Sequence, residues 1–310
     1  MKKSLFYGCL LQPFSNGMNH PIAAVRLGET AYPPRLAEIP GPPETLFYRG
    51  TLPPPDGTAI AVVGTRKATR EGRECARQLS RELASRGIII ISGLAFGIDS
   101  AAHEGALDAH GKTIAVLANG VDSIYPASHE SLGRRIEASG AICSEYPPGT
   151  PALPFQFLAR NRIVSGLSLA VVIVEAPLRS GALVTARHAL DQGREVFVVP
   201  GPANHRNYAG SHMLIREGAR LVTGAGDVLE DLGIVEPAHV ECVTGRQREL
   251  PADPAMRALY TALAAAPEPL SVDSIAEITT LEPHVIQQTL TYLIFEGLVT
   301  ERNGKFTLTQ

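Results

Sequence analysis

Short runs of apolar residues, rich in Val, Ile and Ala, alternate with helix-forming segments through the middle of the chain. The runs are AIAVVG at 59–64, IIIISG at 88–93, KTIAVLANG at 112–120, AICSEYP at 141–147, LAVVIVEA at 169–176 and EVFVVPG at 195–201. Each run is almost continuously apolar, which is typical of strands that are buried on both faces. Because crossover helices cover both faces of a parallel sheet, the pattern predicts an α/β fold with a doubly wound, extended Rossmann-like and mostly parallel sheet.

Changes in composition divide the chain into segments around this sheet. We expect an unassigned N-terminal remnant at 1–31, an extended proline-rich lead-in at 32–55, the Rossmann-like domain at 56–235, a linker at 236–252 and a small winged-helix domain at 253–310. Proline fixes φ and removes a backbone donor, so the lead-in should wrap another surface, docked by Leu46, Phe47 and Tyr48. Three segments with a helical period, followed by the hairpin signal Asn303-Gly304, predict the winged helix.

The charge distribution excludes a protein that is basic over its whole surface. The formal net charge is −3, and residues 56–235 hold 18 basic and 18 acidic residues. Any nucleic-acid site must therefore be a local concentration of positive charge. The four cysteines form no close pair, and no apolar run is long enough to span a bilayer. We expect a cytoplasmic protein with no membrane contact, no zinc site and no disulfide framework.

Glycine and basic residues follow the predicted strands at the points where the strands end. The candidates in these loops are Gly64, Thr65, Arg66, Lys67, Ser92, Gly93, Phe96, Gly97, Ser180 and Gly181, with Arg160 and Arg162 on a later helix. The carboxyl ends of parallel strands meet at one edge of the sheet, and loops that enter helix N-termini present free N–H groups to anions. The pattern predicts a phosphate-binding site at this edge, with the arginines along its rim.

An enzyme is the main alternative at the same edge. Asp99 and His103 stand four residues apart on one predicted helix, just after Ser92, which would suit an acid–base pair or part of a metal site. Asp99 as a helix N-cap and His103 as a packed residue explain the same spacing without chemistry. We expect no catalytic residue, no metal and no cofactor, because no third ligand or second carboxylate is placed nearby. A nucleotide-binding or nucleotide-hydrolysing enzyme stays the alternative, since helix N-termini do not distinguish one phosphate from many.

A series of motifs is more specific than any single loop. The series is VVGTR at 62–66, SGLAFGIDSAAH at 92–103, FLARNRIVSGLS at 157–168, EAPLRSGALVTA at 175–186, and VPG at 199–201 followed by LIREGA at 214–219. In this order the motifs resemble the DprA/Smf family, the DNA-processing proteins of natural transformation, over about residues 32–233. The resemblance implies a protein that binds single-stranded DNA, forms a homodimer, protects incoming DNA and loads the recombinase RecA onto it.

The resemblance also assigns individual residues to the DNA site. Those that match the family's loops and its R-N-R helix are Arg66, Ser92, Gly93, Gly97, Arg160, Asn161, Arg162, Ser180 and Gly181. His212 departs from the family's usual asparagine. Residues 1–31 are too few for the family's N-terminal helical domain.

The chain offers few stacking surfaces, which single-stranded DNA requires in addition to a cationic groove. The available platforms are Phe96 and either Phe155 or Phe157. We therefore expect binding to depend on phosphate contacts, with little sequence preference and strong salt dependence.

The expected winged helix has an excess of negative charge, which is unfavourable for binding duplex DNA. Its third helical segment, 282–296, contains no Lys or Arg, and residues 251–310 hold 3 basic and 7 acidic residues. A recognition helix in the major groove would meet repulsion from the phosphates. We expect this domain to bind protein or to regulate.

Overall fold

The structure is a computed structural model that describes residues 20–54, 57–234, 254–266, 269–279, 281–295, 299–302 and 304–308. The chain forms two units, residues 1–236 and 237–310. The expected linker at 236–252 and most of the expected N-terminal remnant lie outside the described residues.

The first unit contains nine strands and eight helices among its described residues. The strands are β1 (Ala23–Arg26), β2 (Thr45–Gly50), β3 (Ala59–Gly64), β4 (Ile89–Ser92), β5 (Thr113–Val116), β6 (Ala141–Ser144), β7 (Ala170–Val174), β8 (Glu195–Val199) and β9 (Arg220–Leu221). The helices are α1 (Pro34–Ala37), α2 (Arg70–Ser85), α3 (Ile98–Asp108), α4 (Glu130–Ser139), α5 (Pro154–Gly166), α6 (Gly181–Asp191), α7 (Ala209–Arg216) and α8 (Ala225–Asp231).

All nine strands belong to one sheet, in the order β1-β2-β6-β5-β4-β3-β7-β8-β9. Strands β3 to β9 run parallel to one another, and β1 and β2 add two antiparallel strands at one edge, next to β6. The prediction of a doubly wound, mostly parallel α/β sheet is confirmed.

Two apolar layers cover the faces of the sheet, and β3 shows how the sequence fills both. Ala61 and Val63 pack into the core on one face, while Ile60 and Val62 pack into the core on the other. Successive side chains of a strand point to opposite faces, so a strand covered on both sides needs an apolar residue at every position. This requirement explains the unbroken apolar runs.

The proline-rich lead-in is part of the sheet rather than a segment wrapped around it. Strand β2 hydrogen-bonds to β6, with Phe47 opposite Ser144, and the side chain of Leu46 is fully buried. An ion pair of 3.3 Å between the buried side chains of Arg49 and Glu137 joins β2 to α4. The division expected near residue 55 is therefore not a domain boundary. Pairing with β2 covers an edge that β6 would otherwise expose.

The second unit has the elements expected of a winged helix. Its helices are α9 (Pro254–Ala265), α10 (Val272–Thr279) and α11 (Pro283–Phe295), and its strands are β10 (Leu270–Ser271), β11 (Val299–Arg302) and β12 (Lys305–Leu308). The strands form an antiparallel sheet in the order β10-β12-β11. Leu259, Ile275, Ile286 and Leu293 form its small core. Asn303 of the predicted hairpin signal lies outside the described residues.

Among the residues that the structure describes, no helix is long and apolar enough to cross a membrane.

Candidate nucleic-acid interface

The order of the strands creates a crevice at the centre of the sheet. From β3 the chain proceeds through β4, β5 and β6 on one side, and then returns to place β7 on the other side of β3. The loops that follow β3 and β7 therefore leave the sheet in opposite directions. Doubly wound folds bind their ligands at such a switch point, outside the carboxyl ends of the strands.

A cleft of about 580 Å³ opens at this point. Eight of the predicted site residues line it, namely Gly64, Thr65, Arg66, Gly93, Arg160, Asn161, Ser180 and Gly181. Tyr125, Phe157 and Arg179 also line it. Tyr125, which comes from the loop after β5, was not among the predicted residues because no motif marks it. The structure thus brings together residues from loops far apart in the chain. The volume is within the range of small-molecule sites.

The loop that follows β3 is held by a buried carboxylate. Both oxygens of Glu175 accept hydrogen bonds of 3.0 Å from the backbone N–H of Thr69, and Oε2 accepts a third, of 2.9 Å, from the Thr69 hydroxyl. The side chain of Asn207 donates to the same carboxylate and to the carbonyl oxygen of Lys67. Glu175 was not among the predicted site residues, although its position directly after β7 was a usable signal. Its role is to fix the loop that carries Arg66.

Arg66 is exposed and is the cation best placed to meet a ligand in this cleft. Its guanidinium carbon lies 4.9 Å from the centroid of the Phe157 ring. A stacked guanidinium keeps its N–H groups free at the edge, where they can contact a phosphate through two parallel hydrogen bonds. The ring of Phe157 also contacts Tyr125, with centroids 5.6 Å apart. The cleft therefore combines a cation with two aromatic rings.

The loop that follows β4, residues 93–97 (called loop 2 below), adopts a conformation that requires support. Leu94 has φ of 55° and Gly97 has φ of 84°, and a positive φ is unfavourable for a leucine. The N–H of Gly93 donates to Oδ2 of Asp99 over 3.1 Å, and Nδ1 of His129 lies 2.9 Å from the carbonyl oxygen of Leu94. Since a carbonyl oxygen can only accept, Nδ1 of His129 carries the proton.

Arg160 supplies a third support to loop 2, and this corrects its expected place on the rim. Its side chain is only 3% exposed, and Nη1 donates to the carbonyl oxygens of Gly93, over 2.8 Å, and Val116. Burial lowers the pKa of this guanidinium to about 10, and the nearby Asp99 carboxylate partly offsets the effect, so Arg160 stays charged at neutral pH. The helix carries the residue as predicted, but this face of the helix points into the protein.

Three of the predicted residues lie outside the cleft walls because they have structural partners or point elsewhere. Ser92 is fully buried and donates its hydroxyl hydrogen to the carbonyl oxygen of Val62, so it is not available to a ligand. Arg162 forms an ion pair with Glu145, which neutralises the charge expected to attract DNA. Lys67 is exposed beyond the cleft walls.

Gly97 is needed where loop 2 meets the loop after β3. A Cβ atom on Gly97 would lie 2.3 Å from the carbonyl oxygen of Thr65, closer than atoms can approach. The residue therefore serves the close contact between the two loops rather than a ligand. Phe96, next to it, is 49% exposed outside the cleft walls.

The N-terminus of α6 forms the opposite wall of the cleft. Ser180 caps this helix, with its hydroxyl oxygen accepting from the N–H of Ala182 over 3.2 Å. Asn161 donates to the carbonyl oxygen of Gly181 over 3.2 Å and so joins α5 to α6. His212 has Nε2 at 3.1 Å from the carbonyl oxygen of Gly201 and lies outside the cleft walls.

The pair Asp99 and His103 does not form an acid–base site. Helix α3 begins at Ile98 with Gly97 as its N-cap, so the expectation that Asp99 is the N-cap is wrong; its carboxylate accepts from loop 2 instead. His103 is fully buried, as expected, with Nδ1 2.7 Å from the hydroxyl oxygen of Thr113. Burial lowers the pKa of His103 to about 3, so the ring is neutral at physiological pH.

Comparison with known proteins matches most of the first unit to one family. The family model of DNA recombination-mediator protein A matches residues 23–233. Protein Smf of Escherichia coli is 48% identical over 202 residues, which are 65% of this chain and 54% of that protein. This chain therefore spans about half the length of that relative.

Two solved structures are similar to the first unit in sequence and in fold. The X-ray structure of DNA processing protein A (DprA) from Streptococcus pneumoniae is 40% identical, with a TM-score of 0.64 over 69% of this chain and 74% of that one. A structure that describes the single-stranded DNA binding mode of DNA processing protein A from Helicobacter pylori is 30% identical, with a TM-score of 0.62 over 70% of this chain and 97% of that one. The family model covers more than half of the chain and the relatives share its fold, so this chain belongs to the DNA recombination-mediator protein A family, the DprA/Smf family that its motifs resemble.

Proposed function

We propose that this protein binds single-stranded DNA in the cleft between the loops that follow β3 and β7. The observation that carries the proposal is the exposed guanidinium of Arg66, stacked on Phe157 at the topological switch point of the sheet. A phosphate can contact the guanidinium edge while a base contacts an aromatic ring beside it. The single-stranded DNA binding described for the relative from Helicobacter pylori supports single-stranded DNA as the ligand.

The aromatic rings favour a single strand over a duplex. Tyr125 is 50% exposed and lies against Phe157 at the cleft. A base can stack on such a ring only when it is free of its neighbours in a double helix, whereas phosphates are accessible in both forms. Phosphate contacts alone would bind duplex equally well, so the rings provide the discrimination.

We further propose that the protein processes DNA during transformation or recombination, without catalysis of its own. In this role it protects incoming single strands as a homodimer and loads RecA onto them. The family's description as a recombination mediator supports this role. Asp99 is the acidic side chain among the described walls of the cleft, and its carboxylate accepts the N–H of Gly93 rather than facing a reactant.

A small nucleotide is the second candidate ligand, because a cleft of about 580 Å³ is large enough for one. Fluorescence anisotropy with a labelled oligothymidylate, competed by unlabelled duplex of equal length and by a nucleoside monophosphate, separates the two proposals. We expect the single strand to compete at least tenfold better than the duplex, and the monophosphate to compete weakly. Strong competition by the monophosphate, or its hydrolysis, would show instead that the cleft is the site of a nucleotide-binding or nucleotide-hydrolysing enzyme.

A further inference from the structure

Phe96 exposes a large apolar ring next to the cleft, at the tip of loop 2. The side chain is 49% exposed, and its ring lies against that of His129 with centroids 4.7 Å apart and planes inclined by 66°. An edge-to-face contact of this kind covers one part of the phenyl ring and leaves a face open. The ring is thus held in place without being buried.

The backbone that carries Phe96 is held more firmly than an ordinary surface loop. Three elements support loop 2, through the bonds of Asp99, Arg160 and His129 described above. The positive φ of Leu94 is maintained by these bonds. Unfavourable backbone conformations that the surroundings enforce are concentrated at functional sites. An exposed apolar ring on such a loop is therefore a candidate for ligand contact.

A single short segment joins this ring to the cleft. Tyr125 lines the cleft and contacts Phe157, and four residues later His129 contacts Phe96 and the backbone of loop 2. A turn of 3₁₀-helix, Ala127–His129, ends the segment. The two aromatic pairs, Tyr125–Phe157 and Phe96–His129, therefore keep a defined position relative to each other.

We propose that Phe96, supported by His129, forms a second base-stacking subsite for the same single strand of DNA. The proposal rests on the proposed function, because the strand must first be held in the cleft by Arg66. One nucleotide occupies the cleft against Tyr125 and Phe157, and a neighbouring nucleotide along the strand places its base on the open face of Phe96. Every base has such a face, so the subsite has little sequence preference.

The second subsite has a measurable consequence for oligonucleotides that lack one base. We scan an abasic position along an oligothymidylate and measure its affinity for the full-length protein at each position. The wild-type protein should lose affinity at two separate groups of positions, one for each aromatic pair. A single group of sensitive positions would overturn the proposal, and this result requires no protein variant.

Substitution of Phe96 then tests which group belongs to which ring. Phe96→Leu keeps an apolar side chain but removes the aromatic face, and should weaken binding by about 5- to 150-fold. In this variant an abasic site at one of the two groups of positions should no longer lower the affinity, since the missing base has no ring to stack on. Phe96→Tyr keeps the ring and should bind as the wild type does. Tyr292→Leu, which removes a ring that is 48% exposed in the second unit, is the matched control and should change nothing.

The outcomes distinguish this proposal from the proposed function. If Phe96→Leu binds as the wild type at every position while Arg66→Ala binds weakly, the second subsite is wrong and the cleft remains the DNA site. If the wild type fails to bind oligothymidylate, or Arg66→Ala has no effect, the proposed function itself is wrong. Circular dichroism and the melting temperature of each variant establish that it is folded.

Discussion

The guanidinium of Arg160 donates a hydrogen bond of 2.8 Å to the carbonyl oxygen of Gly93, which joins α5 to loop 2 inside the protein. The same nitrogen donates to Val116 in the neighbouring strand. A buried cation with carbonyl partners stabilises a loop conformation, whereas an exposed cation contributes attraction to phosphate. Arg160 and Arg66 should therefore affect DNA binding differently, and the salt dependence of the affinity distinguishes the two effects.

We expect Arg160→Met to lower the free energy of unfolding by about 3 kcal/mol, because it leaves two buried carbonyl oxygens without a donor and Asp99 without its nearest cation. DNA affinity should fall as loop 2 loses its conformation, but the slope of log affinity against log salt should stay the same. Arg160→Lys, which keeps the charge, should recover part of the stability. A fully stable Arg160→Met variant with a shallower salt slope would show that Arg160 contacts phosphate at the rim of the cleft.

Arg66→Ala should weaken binding to single-stranded DNA by about 1–3 kcal/mol, the range for hydrogen bonds to charged groups. The salt slope should become shallower by about 0.7, since one phosphate contact is lost. Arg26, an exposed arginine on the edge strand β1, provides the matched control, and Arg26→Ala should leave both quantities unchanged. Equal losses in the two variants would mean that only the overall charge matters.

Substitutions at Gly97 and Gly87 distinguish two effects. One is loss of the contact between loop 2 and the loop after β3, and the other is the strain of a positive φ. Both glycines have positive φ, of 84° and 80°, but a Cβ atom at Gly87 meets nothing within 4 Å, whereas at Gly97 it meets the carbonyl oxygen of Thr65. Gly87→Ala should cost about 1 kcal/mol of stability and leave DNA binding intact. Gly97→Ala should cost more and should also weaken binding. Identical effects of the two substitutions, measured by denaturant unfolding and anisotropy, would contradict this role of Gly97.

His103 should make stability depend on pH. Its pKa is about 3 in the folded protein and about 6.5 when unfolded, so below pH 6.5 the unfolded state binds a proton that the folded state does not. The contribution to stability is complete above pH 6.5 and is lost as the pH falls, by about 2 kcal/mol between pH 6.5 and 5. Burial raises the pKa of Asp99, which acts in the opposite direction.

Comparison with His103→Asn isolates the contribution of the histidine, because asparagine can still donate to Thr113 but does not titrate. The wild type should lose more stability than this variant between pH 6.5 and 5, as measured by urea unfolding. Parallel pH curves for the two proteins would show that His103 is not the group responsible.

The second unit should be dispensable for binding to single-stranded DNA. Residues 251–310 hold 3 basic and 7 acidic residues, and α11 has no Lys or Arg among its described residues. A chain shortened to residues 1–236, which form a unit of their own, should bind oligothymidylate within a few-fold of the full chain. A large loss of affinity in the folded, shortened protein would place part of the DNA site in the second unit.

The sequence alone was sufficient to predict the strands of the parallel sheet and the edge of the sheet at which the cleft lies. The six apolar runs correspond to β3–β8, because a strand covered on both faces needs apolar residues throughout, and this requirement is local. Glycine and Arg66 directly after β3 marked the ligand edge, since a doubly wound topology brings the carboxyl ends of its strands together.

Only the tertiary structure decided which side chains face the cleft. Ser92 turns inward to a backbone partner, and Arg160 lines the cleft but has its guanidinium bound to buried carbonyl oxygens. Tyr125 joins the cleft from a loop without a recognisable motif. Strand β2 likewise depends on pairing with β6, about a hundred residues away in the chain. A periodic pattern in the sequence indicates whether a residue belongs to a helix, a strand or a loop. The direction of its side chain depends on the element packed against it, and that contact is non-local.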